Sequence, residues 1–263
     1  MMREDELVDR LKGKIALVTG VGAGIGQGIA LRFAAEGATV IGCDIDPDSA
    51  RRTVELADER GTPLESVHPV DLTDPEDVRR YVALARERHG LAHILVNAAA
   101  IAPHMAPVDE MDFESQWRPT LAGEVDLVFL ACREAWPLLR AAGDASVINF
   151  ASVNSVRGSR QMAMVAHCAG KGAVLSMTRQ LAVEGGPHGI RANTIAPGLV
   201  RTSATAAAGA SSGATAEAIV ARTLVGRLGV PDDIAWCAVY LASDEARWVT
   251  GANFCVDGGV TAA

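Results

Sequence analysis

The run Lys14-Ile-Ala-Leu-Val-Thr-Gly-Val-Gly-Ala-Gly-Ile-Gly26 leaves this chain few folds to choose from. Ile15 to Val18 is a short apolar run of strand-forming residues, and Thr19 and Gly20 break it. Ile25, Ile29 and Phe33 then recur at i, i+4 and i+8, the spacing of one helix face. A strand that turns sharply into a helix aims the helix's first free N–H groups at one point. Glycines let backbone approach whatever sits there, normally a phosphate. A strict G-x-G-x-x-G does not fit; T-G-x-x-x-G-x-G does, with Thr19, Gly20, Gly24 and Gly26. Asp44 supplies the second half, ending the next apolar strand, Thr39-Val-Ile-Gly-Cys-Asp44, twenty residues after Gly24. That is where a dinucleotide-binding fold places the carboxylate that holds the adenosine ribose hydroxyls. The bland reading is a glycine turn beside a surface Asp; the strand context on both sides favours dinucleotide binding.

At 263 residues the chain can bury a full core as one domain, 1–263, with a core of about 13–259 and an N-terminal extension, 1–12. Hydrophobic residues make up 49%, as in globular proteins. The net charge of −8 argues against nucleic acid or an anionic membrane as the main partner. Five scattered cysteines (43, 132, 168, 237, 255) form no CxxC and no metal-ligand spacing with histidine, so no metal is expected and they read as buried thiols of a reducing compartment. The acidic start lacks the apolar stretch of a signal peptide, and no apolar run approaches membrane-spanning length. A soluble, cytoplasmic protein is the expectation.

Along the chain, helical and strand patterns alternate. Pro47 opens a helix to about Arg60, and Leu64 to Pro69 is a third strand. Asp74 and Pro75 are N-cap and first position of a helix to about His89. Ile94 to Asn97 is a fourth strand running into small residues, Ala98-Ala-Ala-Ile-Ala. A long helix follows from near Pro119 to Leu139, then a strand, Ser146 to Phe150, ending in Ala151-Ser152. Met164 to Glu184 is helical, and Arg191 to Ile195 leads into Pro197-Gly198. The low-complexity stretch Ala204 to Ala216 reads as a mobile flap over a site. A helix from Asp232 to Leu241 and a strand from Asn253 to Val256 close the chain. The pattern predicts an α/β fold, a doubly wound parallel sheet (Rossmann fold) in a single domain. Ligands of such a sheet collect at the carboxyl ends of the strands, where Thr19, Asp44, Asp71, Asn97, Ser152 and Pro197 all fall.

Thr19-Gly20-x3-Gly24-Ile25-Gly26, Asp71, Asn97, Ser152, Lys171, Pro197-Gly-x3-Thr202 and the ending Val249 to Gly259 together resemble the short-chain dehydrogenase/reductase family, over nearly the whole chain. The resemblance implies hydride transfer between a nicotinamide cofactor and an alcohol/carbonyl pair, usually in a homotetramer. Gly20, Gly24, Ile25 and Gly26 would then cradle the pyrophosphate side, and Asp44 with Ile45 the adenosine ribose. Asp71 and Leu72 would meet the adenine, with Asn97, Ala98 and Ala99 on the adenosine side. Lys171 would hold the nicotinamide ribose, and Pro197, Gly198, Val200 and Thr202 would wrap the carboxamide. Asp44 also favours NAD over NADP, because a carboxylate repels a 2′-phosphate and only Arg51 and Arg52 offer nearby cations.

Two departures stand at the centre of that resemblance. The family pattern is Tyr-x-x-x-Lys, but four before Lys171 stands His167, and the only tyrosines, Tyr81 and Tyr240, lie on helices far from this rim. The family's helix Asn, seven after a Trp, would fall at 124, which is Glu. Asn-Asn-Ala-Gly reads Asn97-Ala-Ala-Ala100, and Ser152 lies 15 residues before His167, with Ser155 a weaker rival for its role. Imidazole gives or takes protons near neutral pH, and His167 shares a helical face with Lys171 at i, i+4. Glu124 can orient either of them through water. The catalytic set is therefore Ser152, His167, Lys171 and Glu124. A catalytically silent dinucleotide-binding sensor or scaffold is the alternative.

His68, His89, His93 and His188 read as surface residues at element ends, while His104 is an even choice between pocket and surface. The substrate loops, Ile101 to Met111, Arg157 to Val165 and Leu199 to Ala216, are mostly apolar or small. They point to a small or hydrophobic alcohol without naming it.

Overall fold

The structure is a computed structural model that describes residues 9–160 and 162–262. Seven parallel strands form one sheet in the order β3-β2-β1-β4-β5-β6-β7. They are β1 Ile15–Thr19, β2 Thr39–Cys43, β3 Glu65–Val67, β4 Ile94–Asn97, β5 Ala145–Phe150, β6 Ile190–Pro197 and β7 Asn253–Val256. Between them run α1 Gly24–Ala35, α2 Pro47–Glu59, α3 Pro75–His89, α4 Arg118–Leu121, α5 Leu127–Ala142 and α6 Val165–Gly185. Three more, α7 Ser203–Ala207, α8 Gly213–Val220 and α9 Pro231–Ala242, lie between β6 and β7. The central strands are near-continuous apolar runs because helices cover both faces of the sheet. On one face Ile29 and Phe33 of α1 pack with Ile234 and Ala238 of α9. On the other, Val78 and Tyr81 of α3 meet Leu138 and Leu139 of α5.

Local chemistry explains the predicted boundaries that hold. Asp46 and Asp74 each accept a hydrogen bond from the N–H two residues on, with Pro47 and Pro75 at the first helical position. Gly90, at φ 70°, ends α3. Strand order reverses between β1 and β4, which are neighbours, so their carboxyl ends splay the chain to opposite sides and leave a crevice there.

Three expectations change. The long helix starts earlier than Pro119, at Phe113, and contains two wide π-helical stretches, Phe113–Trp117 and Ala122–Asp126, flanking α4. The first arises where Trp117 N–H reaches back five residues to the Asp112 carbonyl, 3.0 Å away. The low-complexity stretch after Ala204, to which the sequence reading assigns no element, is largely helix, α7 and α8. Alanine is the best helix former, and Thr202 caps α7 by accepting from Thr205 N–H. The thiols are not uniformly buried: Cys43 and Cys132 are, Cys168 and Cys237 are half-buried, and Cys255 is exposed.

Tyr81 is fully buried and its hydroxyl donates to the Ile41 carbonyl at 3.0 Å, which ties α3 to β2. Tyr81→Phe is expected to lower unfolding free energy by about 1 kcal/mol, the net worth of one such bond. Urea denaturation checks it; an unchanged midpoint would show that the bond contributes nothing.

Candidate active site

The crevice at the carboxyl ends of β1, β2 and β4 holds about 340 Å³. Its floor is the turn between β1 and α1. Gly20 sits at φ +71°, a left-handed conformation, and a Cβ there would lie 2.8 Å from the Ala99 Cα. At Gly26 a Cβ would come 2.0 Å from the Gly20 carbonyl oxygen. The two glycines bring α1's N-terminus and the bare turn up to the crevice, the cradle a pyrophosphate requires. Asp44 stands on the same wall, with Oδ2 accepting from Gly22 N–H at 2.7 Å and Oδ1 from Asp46 N–H at 2.9 Å.

The crevice wall carries Gly20, Gly24, Ile25, Gly26, Asp44, Ile45, Asp71, Leu72, Ala98, Ala99 and Thr202 of the predicted set. The side chain of Asn97 is turned elsewhere: it is buried and its Nδ2 donates to Asn149 Oδ1 at 2.8 Å. Val200 is also buried, and Gly198 lines a separate cleft of about 220 Å³ beside Asp257. Pro197 ends β6 on the same rim. Ile101, named as the start of a substrate loop, is on the wall too, whereas sequence reasoning missed Val70, Thr73 and Leu127. The first two flank Asp71 and Leu72, so adjacency to a motif was a usable signal; Leu127 carried none.

Beyond the crevice lies a row of three hydrogen-bonded side chains. His167 Nδ1 and Glu124 Oε1 are 2.6 Å apart, and His167 Nε2 is 3.4 Å from Ser152 Oγ. A carboxylate only accepts, so Nδ1 carries the proton and a neutral ring presents its Nε2 lone pair toward Ser152. Each member arrives on a different element. Ser152 follows β5, His167 lies in the first turn of α6, and Glu124 is lodged in the second π-helical stretch with 1% of its surface exposed. Ser152 Oγ also accepts from Asn154 N–H at 3.1 Å, which leaves its own proton to donate. Ser155 is not a rival here, because its hydroxyl donates to the Ser152 carbonyl at 2.6 Å. His104 is half-buried, and its backbone N–H donates to Thr120. His93, read as a surface residue, is half-buried instead, with Nδ1 accepting from Ile15 N–H.

Lys171 lies one turn after His167 and is 7% exposed. Burial pulls its pKa below the ordinary lysine value, and the Glu124 carboxylate opposes that shift. Among the described residues no cluster of three His, Cys, Asp or Glu side chains could hold a metal, and no helix is long and apolar enough to cross a membrane. The carboxylate favours the ammonium, so Glu124→Gln should move the Lys171 pKa further down. Competitive acylation at fixed pH, read by mass spectrometry, should show Lys171 labelled faster in the variant; equal labelling would contradict the coupling.

Residues 20–261 match the family profile described as enoyl-(acyl carrier protein) reductase. The chain is 35% identical to D-threitol dehydrogenase of Mycolicibacterium smegmatis over 253 residues, covering 96% of this chain and 94% of that protein. It is 37% identical to galactitol 2-dehydrogenase (L-tagatose-forming) of Cereibacter sphaeroides, with 97% of each covered. A gluconate 5-dehydrogenase from Burkholderia cenocepacia, solved in complex with NADP and tartrate, superposes with a TM-score of 0.88 at 30% identity, over 97% of this chain and 98% of that one. Sheet order, glycine turn and sequence agree, and the chain belongs to the short-chain dehydrogenase/reductase family of oxidoreductases.

Proposed function

We propose that this protein interconverts an alcohol and its carbonyl compound with NAD(H) as hydride partner and His167 as the proton acceptor and donor. The observation that carries the proposal is the row Glu124–His167–Ser152 at the carboxyl ends of the strands, beside the glycine crevice. Glu124 holds the ring and its tautomer, so Nε2 faces the place where a substrate hydroxyl meets Ser152 Oγ. Ser152 aligns that hydroxyl, and Nε2 takes its proton directly or through Ser152 Oγ. Bound NAD⁺ would supply the acceptor for the hydride leaving the carbinol carbon, so the alcohol loses two electrons and two hydrogens and becomes a carbonyl. The imidazolium formed is stabilised by the Glu124 carboxylate at 2.6 Å. The reverse direction uses that proton to finish the reduction. Lys171 keeps a positive charge on the nicotinamide ribose side, in the role the family resemblance gives it. The names of similar proteins support a secondary alcohol: galactitol oxidised at position 2, and cyclohexanol for a 30% identical protein of Acinetobacter.

The silent-scaffold reading lacks a feature of its own. A binding protein would require the crevice and Asp44, but not a carboxylate buried against an imidazole whose other nitrogen faces a serine.

For the cofactor, the crevice wall bears Asp44 and no Lys or Arg. Arg51 pairs with Asp48, and Arg52 with Glu55 and Glu59 at 3.0 and 3.3 Å, so both candidate cations are engaged along α2. A 2′-phosphate beside Asp44 would face like charge. NAD⁺ is therefore expected to bind at least about tenfold more tightly than NADP⁺ in calorimetric titration. Tighter NADP⁺ binding would sink this assignment.

His167→Ala should lower turnover in alcohol oxidation by about 10²–10⁴-fold while NAD⁺ affinity holds. Added imidazole should restore part of the loss. His167→Tyr, which puts a longer side chain against Glu124, should be at best partly active. Turnover by His167→Ala at the parent's rate would remove His167 from the chemistry and leave Ser152, Glu124 or water to move the proton.

A further inference from the structure

Position 170 of α6 is glycine, three residues after His167 and one before Lys171. Residues three apart share a helix face, so Gly170 lies on the His167 side of α6. Its φ is not left-handed and it sits inside a regular helix, where glycine is less favourable than alanine. Backbone conformation therefore gives no reason for a glycine here. Packing does. A Cβ at 170 would lie 2.4 Å from Glu124 Oε2, 3.2 Å from its Cβ and 3.4 Å from its Cδ. Those are the three nearest atoms, and all belong to Glu124, so the missing side chain makes room for that residue. Gly172, two residues on, provides the contrast: a Cβ there would meet only the Ser155 carbonyl oxygen, at 3.8 Å.

The two carboxylate oxygens are held differently. Oε1 is bonded to His167 Nδ1, whereas Oε2 is buried with no hydrogen-bond partner among the described residues. Oε2 is the atom that abuts Gly170, so its place is set by shape. We infer that Gly170 is the positioning residue that lets Glu124 reach His167, and that residues 124, 167 and 170 work as one unit. An alanine methyl would press Oε2 a full ångström inside the 3.4 Å at which ordinary contact begins. The easiest relief is rotation of the carboxylate, which carries Oε1 off Nδ1. The effect on turnover rests on the reading of His167 as acid/base; the placement of Glu124 does not.

The test separates the two. In protein carrying ¹⁵N-histidine, the His167 Nδ1–H proton should resonate at low field, displaced by its short bond to the carboxylate. Gly170→Ala should abolish that signal and lower turnover about 10²-fold, the loss typical of a catalytic group displaced by about 1 Å, with NAD⁺ affinity unchanged. Gly172→Ala should keep both signal and rate. Retention of the signal in Gly170→Ala overturns the inference whatever the activity. Loss of the signal at full turnover supports the placement and sinks the acid/base reading instead. Should Gly170→Ala fail to fold, Glu124→Ala/Gly170→Ala decides. With the carboxylate gone the closest remaining contact is the residue-124 Cβ at 3.2 Å, which a shift of a few tenths of an ångström relieves, and helix propensity improves, so the double variant should melt no lower than Glu124→Ala alone. A double variant that melts below Glu124→Ala, or fails to fold, would overturn the inference.

Discussion

The contact of Gly20 with Ala99 is the point on which the rim of this sheet depends. Because residue 20 has no side chain, the turn after β1 lies against the chain leaving β4, and three hydrogen bonds close the junction. Gly20 N–H donates to the Cys43 carbonyl at 2.8 Å, Ala99 N–H to Thr19 Oγ1 at 3.0 Å, and Thr19 Oγ1 to the Val96 carbonyl at 3.4 Å. The ends of β1, β2 and β4 are thereby tied at one place, next to the reversal of strand order. From that junction α1 starts with its N–H groups facing the crevice, and Asp44 lies close enough to accept from Gly22. A bulkier residue at 20 would move all of these together.

A second junction, in the core, holds the chemistry in register with the first. Asn97 Nδ2 donates to Asn149 Oδ1, Asn149 Nδ2 to Thr178 Oγ1 at 2.9 Å, and Thr178 Oγ1 to the Val174 carbonyl at 2.7 Å. This buried chain runs from β4 through β5 into α6. Ser152 follows β5 and His167 lies in the first turn of α6, so the chain fixes the separation of these two side chains. Each of its members would be costly to leave unpaired in the core. Asn97 thus serves the site through the scaffold while its side chain faces away from the crevice.

What could be read from the sequence and what could not divide along a physical line. Elements set by local chemistry were legible: α3 from Asp74, Pro75 and Gly90, β4 and β7 from their apolar runs, the crevice from the spacing of Gly20 to Gly26 and Asp44. His167, Ser152, Lys171 and Glu124 could be named from a pattern, but their pairing could not. Whether Glu124 meets His167 or Lys171 depends on the π-helical turn that seats it and on a glycine 46 residues away, and neither has a local signature. The helices after Ala204 went unread for the opposite reason. Their small residues look like loop composition, yet alanine in quantity, capped by Thr202, forms helix. Asn97 looked like a ligand because strand ends usually bind; the second partner that claims it, Asn149, comes from a strand read 52 residues later.

Under the proposed function, an imidazole in place of a phenol changes what the site must provide. A phenol acts as a base only when nearby positive charge stabilises its anion, so Lys171 alone can serve it. An imidazole is already a base when neutral; what it requires is one tautomer, one orientation and a partner for the cation it becomes. Glu124 meets all three through a single 2.6 Å bond. The price is a carboxylate and an ammonium both buried, Glu124 at 1% and Lys171 at 7% exposure, with one carboxylate oxygen unpaired. Burying such charges costs several kcal/mol each unless they compensate one another, and apolar side chains of similar size would be at least as stable. A scaffold that only bound a dinucleotide would lose nothing by that exchange. Departures from the rule of satisfied polar groups often accompany function, and one of those in this structure, Glu124 Oε2, lies one hydrogen bond from a ring whose other nitrogen faces Ser152.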